Sequence, residues 1–259
     1  MFIVRFILIK LLIIIIPLPL HAGCDKGSVI VSGKPDYPPI SWTRYDELTG
    51  FGYTLVEKIF NEFNIQVLKA DPMPWKRVLH KAEIGELDIV IGVREITERV
   101  KYLDFIATPI IDSGQNIFFM KGAKIETVED LPGKIGGALR GITFTKQFNK
   151  FATSNLEFEA VNTQFQNIKK LELGRIDYFI APLLPTIHYI RKNNLSLNIQ
   201  FIALPVFTVQ EKIAFSKKSN CTQYLNKFEE RIKKLHQQDF IYDLFDEQTQ
   251  EWDVLEYLK

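Results

Sequence analysis

The sequence predicts an α/β fold assembled from two successive sets of strand–helix units. Short β-branched runs alternate with stretches of helical apolar spacing, and the alternation restarts after Asp112-Ser113-Gly114. Neither a repeat at solenoid periods nor a low-complexity segment interrupts it.

Residues 1–22 stand apart from that pattern. Arg5 and Lys10 flank an apolar run, Leu11 to Leu20 is broken only by Pro17 and Pro19, and small Ala22 sits where a signal peptidase would cut. The run is short for a membrane span of about 20 residues, so it reads as a cleaved export signal rather than as an uncleaved anchor. Removing it takes away two positive charges and no negative ones, turning a formal +1 into −1. A near-neutral chain lacks the clustered basic surface a nucleic-acid partner needs. With 46% hydrophobic and 24% charged residues, the remainder has enough apolar material for one large or two modest cores and little reason to be disordered.

Val29-Ile30-Val31-Ser32-Gly33 reads as the first strand, followed by a proline-rich loop from Lys34 to Pro39 and a turn at Glu47-Leu48-Thr49-Gly50. Helical spacing from Gly52 puts Leu55, Val56, Ile59, Phe60 and Phe63 on one face, and Asn64 closes it. A strand at 65–68, a helix at 75–85 and a buried strand at 87–92 complete a βαβαβ order, which implies parallel pairing. The loops at 34–42, 72–77 and 92–99 then meet beyond the carboxyl ends of the strands, where such sheets bind ligands. The second set places strands at 115–120, 134–138, 157–161, 176–181 and 199–203, with helices at 141–153, 163–173 and 183–193. A strand at 212–216 and helices at 222–237 and 239–247 end the chain.

The chemistry-bearing residues point away from catalysis. His21, His80, His188 and His236 are isolated, with no Cys, Asp or Glu at ligand spacing, so no metal site is expected. There is neither a nucleophile elbow nor a phosphate-binding glycine loop, and no cofactor is expected. The two cysteines, Cys24 and Cys221, leave alternatives open. An even count in an oxidising compartment invites a disulfide. Ala22-Gly23-Cys24 also resembles the end of a lipoprotein cleavage box, with His21 where Leu is usual. The informative stretch is Gly92-Val93-Arg94-Glu95-Ile96-Thr97-Glu98-Arg99, where a strand-ending glycine is followed by two guanidinium forks suited to a carboxylate, although residue types alone favour Arg94 and Arg99 capping or pairing on a solvated helix start.

An ordered set of short motifs resembles the family 3 extracellular solute-binding proteins, the polar amino-acid receptors of bacterial ABC importers. The set runs through Asp36-Tyr37-Pro38-Pro39, Thr49-Gly50-Phe51-Gly52, Gly85-Glu86-Leu87-Asp88, Gly92 with Thr97-Glu98-Arg99, and Leu103-Asp104-Phe105. It continues through Glu129-Asp130-Leu131-Pro132-Gly133-Lys134, Arg140-Gly141, Gly174-Arg175-Ile176-Asp177 and Ile213-Ala214-Phe215. Each piece is weak, but their order over nearly the whole chain is specific.

The resemblance implies a two-lobed clamp like the periplasmic binding proteins, each lobe a mixed sheet flanked by helices, with two strands crossing between the lobes. Lobe one would hold residues 24–111 and 212–259, and lobe two residues 112–211. Cys24 and Cys221 would then share a lobe, which makes their pairing sterically sensible. Carried over by position, Tyr37 and Trp75 match the aromatic walls of the ligand site, with Trp42 at the end of the same loop as Tyr37. Gly92 would offer a carbonyl, and Arg99 matches the arginine that clamps a carboxylate. Gly141 and Thr143 match a helix-start contact to that carboxylate.

Two departures bear on specificity. Arg94 replaces the family's hydroxyl, and Pro182 stands where an acid usually receives the ligand's ammonium. With Arg94, Arg99 and either Arg77 or Arg140 near one cleft, an anionic or multi-carboxylate ligand is expected. The resemblance implies a monomeric, non-enzymatic periplasmic protein serving a membrane permease. A membrane-bound sensor is the alternative partner and a cyclohexadienyl dehydratase-like enzyme a remote alternative.

Overall fold

The computed structural model describes residues 23–140, 144–193, 195 and 198–250. The expected signal segment, Gly141 and Thr143 lie outside the described residues.

The first βαβαβ unit forms as the sequence pattern requires. Strand β1 (Ser28–Gly33) leads into a small antiparallel sheet of β2 (Asp36–Tyr37), β3 (Ser41–Arg44) and β4 (Glu47–Thr49), then helix α1 (Phe51–Asn61). Strand β5 (Gln66–Lys69), helix α2 (Trp75–Ile84) and strand β6 (Ile89–Val93) follow. Both β5 and β6 pair in parallel with β1. The apolar face of α1 (Leu55, Val56, Ile59 and Phe60) is fully buried. Asn64 ends that turn at φ 55°, and Gly85 caps α2 at φ 88°, a left-handed conformation glycine adopts without a Cβ clash.

Strand β7 (Leu103–Phe105) precedes the long β8 (Ile111–Met120). The second set comprises β9 (Ile135–Leu139), α3 (Lys146–Asn155), β10 (Glu157–Val161), α4 (Gln164–Glu172), β11 (Tyr178–Pro182), α5 (Leu183–Lys192) and β12 (Ile199–Phe201). Then come the long β13 (Phe207–Ser216), α6 (Leu225–Gln237) and α7 (Phe240–Gln250). In the main path the strand order is β10-β9-β11-β8-β13-β6-β1-β5. The first half of β13 pairs antiparallel with β8, from Phe207 opposite Gln115 to Glu211 opposite Ile111, and its second half pairs with β6 and β7. These two strands join the two halves of the molecule. Apolar cores lie on either side of them. One contains Val29, Phe51, Ile59, Phe60, Phe215 and Phe228, and another contains Phe118, Ile168, Leu171, Phe179 and Ile187.

The structure differs from the sequence expectations at several points. The segment from Asp36 to Thr49, expected as loop and turn, contains the three-stranded sheet. Strands β8 and β13 begin earlier than their apolar runs, because polar residues such as Asp112, Ser113, Gln210 and Glu211 occupy the crossing. Helix α3 starts at Lys146 rather than 141, where the Thr145 hydroxyl accepts the Phe148 amide at 3.3 Å.

The two Gly-x-x-Asp motifs prove to be structural. Asp88 accepts the Ile30 amide and Asp177 the Ile135 amide, each at 2.7 Å, so each carboxylate ties down the start of a neighbouring strand. Cys24 and Cys221 form a disulfide with Cα atoms 5.1 Å apart, joining the 3₁₀ turns Cys24–Lys26 and Asn220–Tyr224. Both sulfurs are spent within this chain, and the pairing alternative is the one the structure holds.

Candidate functional site

The carboxyl-end loops of β1 and β6 and the first turn of α2 bring four side chains together. Tyr37, on β2, is 7% exposed, and its hydroxyl donates to Glu211 Oε1 at 2.9 Å. The same hydroxyl lies 3.2 Å from Ser113 Oγ on β8. Tyr37 therefore touches both crossing strands through one oxygen. Arg94, just beyond β6, turns inward: it is 19% exposed, and its Nε donates to the same Glu211 oxygen at 3.3 Å. Arg99 Nη1 donates to the Arg94 carbonyl at 3.0 Å, and its guanidinium carbon stands 5.7 Å from the Trp75 ring centroid.

Glu211 is fully buried, an expensive place for a carboxylate without partners. The two donors to Oε1 answer that cost in part, while Oε2 has no hydrogen-bond partner among the described residues. Burial and the adjacent Glu211 push the Tyr37 hydroxyl's pKa well up, so it stays protonated and donates. Burial pulls the Arg94 guanidinium's pKa down, but Tyr37 and Glu211 outweigh it, and the group is held in its charged form.

Beside this cluster lies a cavity of about 590 Å³. Its wall combines Arg94, Thr97 and Val100 with Phe144 and Thr145 from the second half and Gln210 from β13. Lys212 also faces it, neutralised by Glu95 at 2.8 Å. The chemistry on offer is anion binding across two halves of the molecule, from permanently charged forks and hydroxyls.

The expected residues are not all brought together. Tyr37, Trp75, Arg94 and Arg99 meet. Gly92, the residue before the end of β6, has φ 64° with Ile40 close by: a Cβ there would stand 2.8 Å from Ile40 Cγ2, so only glycine fits. Trp42 is buried in the small sheet with its ring against Gly50. Arg140 is exposed, its Nε donating to Asn162 at 3.1 Å. Pro182 ends β11 opposite Gln115 and leaves that position without a carboxylate. Sequence reading missed Glu211 and Lys34. Both lie beside recognised elements, and a lone charge at the edge of a strand or in a proline-rich loop carries no periodic signal.

Two halves joined by paired crossing strands, with a charged cleft beside the crossing, define the class of two-lobed periplasmic-binding-protein-like clamps. The chain belongs to the bacterial extracellular solute-binding proteins, family 3, whose profile matches residues 29–247. Among solved structures it is similar to an ancestral arginine-binding protein bound to arginine, at 22% identity and TM-score 0.65, covering 87% of this chain and 98% of that one. It is also similar to an amino acid ABC transporter substrate-binding protein from Streptococcus pneumoniae bound to L-arginine, at 21% identity and TM-score 0.67, covering 88% and 96%. A histidine kinase sensor domain with similarity to periplasmic binding proteins matches at 19% identity and TM-score 0.68, covering 87% and 95%. No curated protein matches the chain.

Proposed function

We propose that this protein is a monomeric periplasmic receptor that captures a small carboxylate-bearing, amino-acid-like solute and delivers it to the membrane permease of an ABC-type importer. In this reading residues 1–22 direct export and are removed. Residues 24–111 with 212–259 form one lobe and residues 112–211 the other, and ligand closes them about β8 and β13. Arg94 and Arg99 hold a carboxylate, Tyr37 and Trp75 wall the site, Gly92 lets the ligand approach the backbone, and Gly141 and Thr143 supply contacts from the second lobe.

The observation that carries the reading is the convergence of Arg94, Arg99, Tyr37 and Trp75 beside a cavity lined from both halves. Among the described residues, the carboxylate in the cluster, Glu211, is fully buried and already accepts from Tyr37 and Arg94, and Glu95 on the cavity wall is paired with Lys212. That supports binding rather than turnover.

A second reading has support from the sensor-domain neighbour: the same clamp could report occupancy to a membrane signalling protein. The test is a thermal-shift screen of amino acids, carboxylates and polyamines, followed by solution scattering with each hit. A ligand at 100 times its Kd should add about 2.7 kcal/mol of stability, and binding should reduce the radius of gyration. If none of the carboxylates shifts the melting curve, the receptor reading fails. Crosslinking in membranes to a permease rather than a signalling protein separates the two partner assignments.

A further inference from the structure

Lys34 follows Gly33 at the end of β1 and lies beside the residues already described. Its Nζ stands 3.7 Å from the Tyr37 ring centroid and 5.2 Å from that of Trp75. The chain thus places its own cation over the two rings that would otherwise wall a ligand side chain, and Arg99 stands over Trp75 as well. Among the described residues no oxygen accepts a hydrogen bond from Lys34 Nζ.

Charge in the cluster is one-sided. Lys34, Arg94 and Arg99 act on one another and on Glu211, giving three positive groups against one buried carboxylate. Asp36 also attracts Lys34 and Glu98 also attracts Arg99, but both acids are exposed and screened by water. The position that would receive a ligand ammonium is Pro182, and Glu211 already serves Tyr37 and Arg94.

The geometry points to a small dicarboxylate as the ligand, with Lys34 as a third cation of the site and as the residue that excludes cationic ligands such as arginine. This rests on the receptor reading and names the ligand class for the same cleft. A guanidinium or ammonium side chain entering here would meet three like charges and find the aromatic faces occupied, a repulsion that sets specificity as much as any new attraction does. A second carboxylate would meet an ammonium that has no acceptor of its own. Burial, opposed by Glu211 and reinforced by Arg94 and Arg99, lowers the Lys34 pKa to about 8, the response of an ammonium short of negative charge.

The experiment is isothermal titration of the full exported chain with succinate, glutarate, acetate, inorganic phosphate, glutamine and arginine. It is run on wild type and on Lys34→Met and Lys34→Arg. Wild type should bind a dicarboxylate more tightly than acetate, phosphate or glutamine and should reject arginine. Lys34→Met should weaken the dicarboxylate about 10- to 100-fold, the worth of one hydrogen bond to a charged group, and should bind arginine better than wild type does. Lys34→Arg should keep part of the dicarboxylate affinity. Wild type binding arginine, glutamine or phosphate at least as tightly as any dicarboxylate overturns this inference and leaves solute capture standing. A folded Lys34→Met with dicarboxylate affinity within twofold of wild type also overturns it. Binding of no compound at all removes the receptor reading with it.

Discussion

Replacing Glu211 by Gln should push stability and ligand affinity in opposite directions. The carboxylate is fully buried, takes the Tyr37 hydroxyl at 2.9 Å and Arg94 Nε at 3.3 Å, and faces the charges of Lys34, Arg94 and Arg99. Gln keeps the size and can still accept from Tyr37, so packing is preserved and the charge alone is lost. Removing one partner of a buried ion pair costs about 3–5 kcal/mol. Arg94 retains 19% exposure, which places the loss near the lower end, about 3 kcal/mol. At roughly 2–4 °C per kcal/mol for a chain of this size, calorimetry of the ligand-free protein should show Tm falling by about 6–12 °C. Loss of the buried carboxylate also removes repulsion on an incoming anion. Unit charges about 8 Å apart repel by about 2 kcal/mol at an effective dielectric near 20, so titration should show a dicarboxylate binding about 30-fold more tightly. Generic damage would lower both quantities. A Tm within about 2 °C of wild type, or affinity falling together with stability, would refute the charge-balance reasoning.

Arg99→Ala should weaken a carboxylate ligand about 30-fold to several thousand-fold, the cost of 2–5 kcal/mol for an abandoned charge partner. Lys at this position should restore only part of that, because a point charge cannot make paired hydrogen bonds; titration giving Arg99→Ala within twofold of wild type would exclude Arg99 from the site. Thiol titration should find no free cysteine before reduction. Breaking the Cys24–Cys221 link, which spans 197 residues, should remove about 5 kcal/mol on the chain-entropy model, seen as a lower unfolding midpoint for Cys221→Ser. Affinity for an amine-free dicarboxylate should fall about tenfold between pH 7 and pH 9. Lys34 loses its proton through about 8, while the neighbouring Arg94 and Arg99 stay charged and Tyr37 stays protonated. A flat profile would remove Lys34 from the site.

Much of the fold is legible because its elements carry periodic signals. The face Leu55, Val56, Ile59 and Phe60 could belong only to a helix, and Ile89-Val90-Ile91 between Asp88 and Gly92 reads as a buried strand. What escapes is whatever depends on a partner distant in the chain. Asp36-Tyr37 and Ser41–Arg44 become strands because they pair with one another and with Glu47–Thr49, which no local periodicity announces. The polar starts of β8 and β13 extend because each supplies the other's backbone partners. At the site, the loops that converge could be named from topology, Arg99 from the family resemblance, and Arg94 as a departure from it. Which way Arg94 turns depends on Glu211, 117 residues away, and no pattern around either residue reveals that pairing.

The placement of Glu211 also explains how a charge-reading site could control a change of shape. A ligand shifts a conformational equilibrium only by contacting two states differently. Here the groups that fix the cleft's charge are fastened to the strands that join the two halves. Tyr37 reaches Ser113 on β8 and Glu211 on β13, residues two pairs apart along the crossing, and Arg94 is held by the same Glu211 oxygen. An anion that draws Arg94 toward itself competes directly with a contact on a crossing strand. Tyr37 and Glu211 are buried, so the competition takes place where charges are poorly screened and small displacements change energies by kilocalories. On the proposed reading recognition and crossing share atoms, and a ligand without negative charge would have no purchase on them however well it filled the cavity.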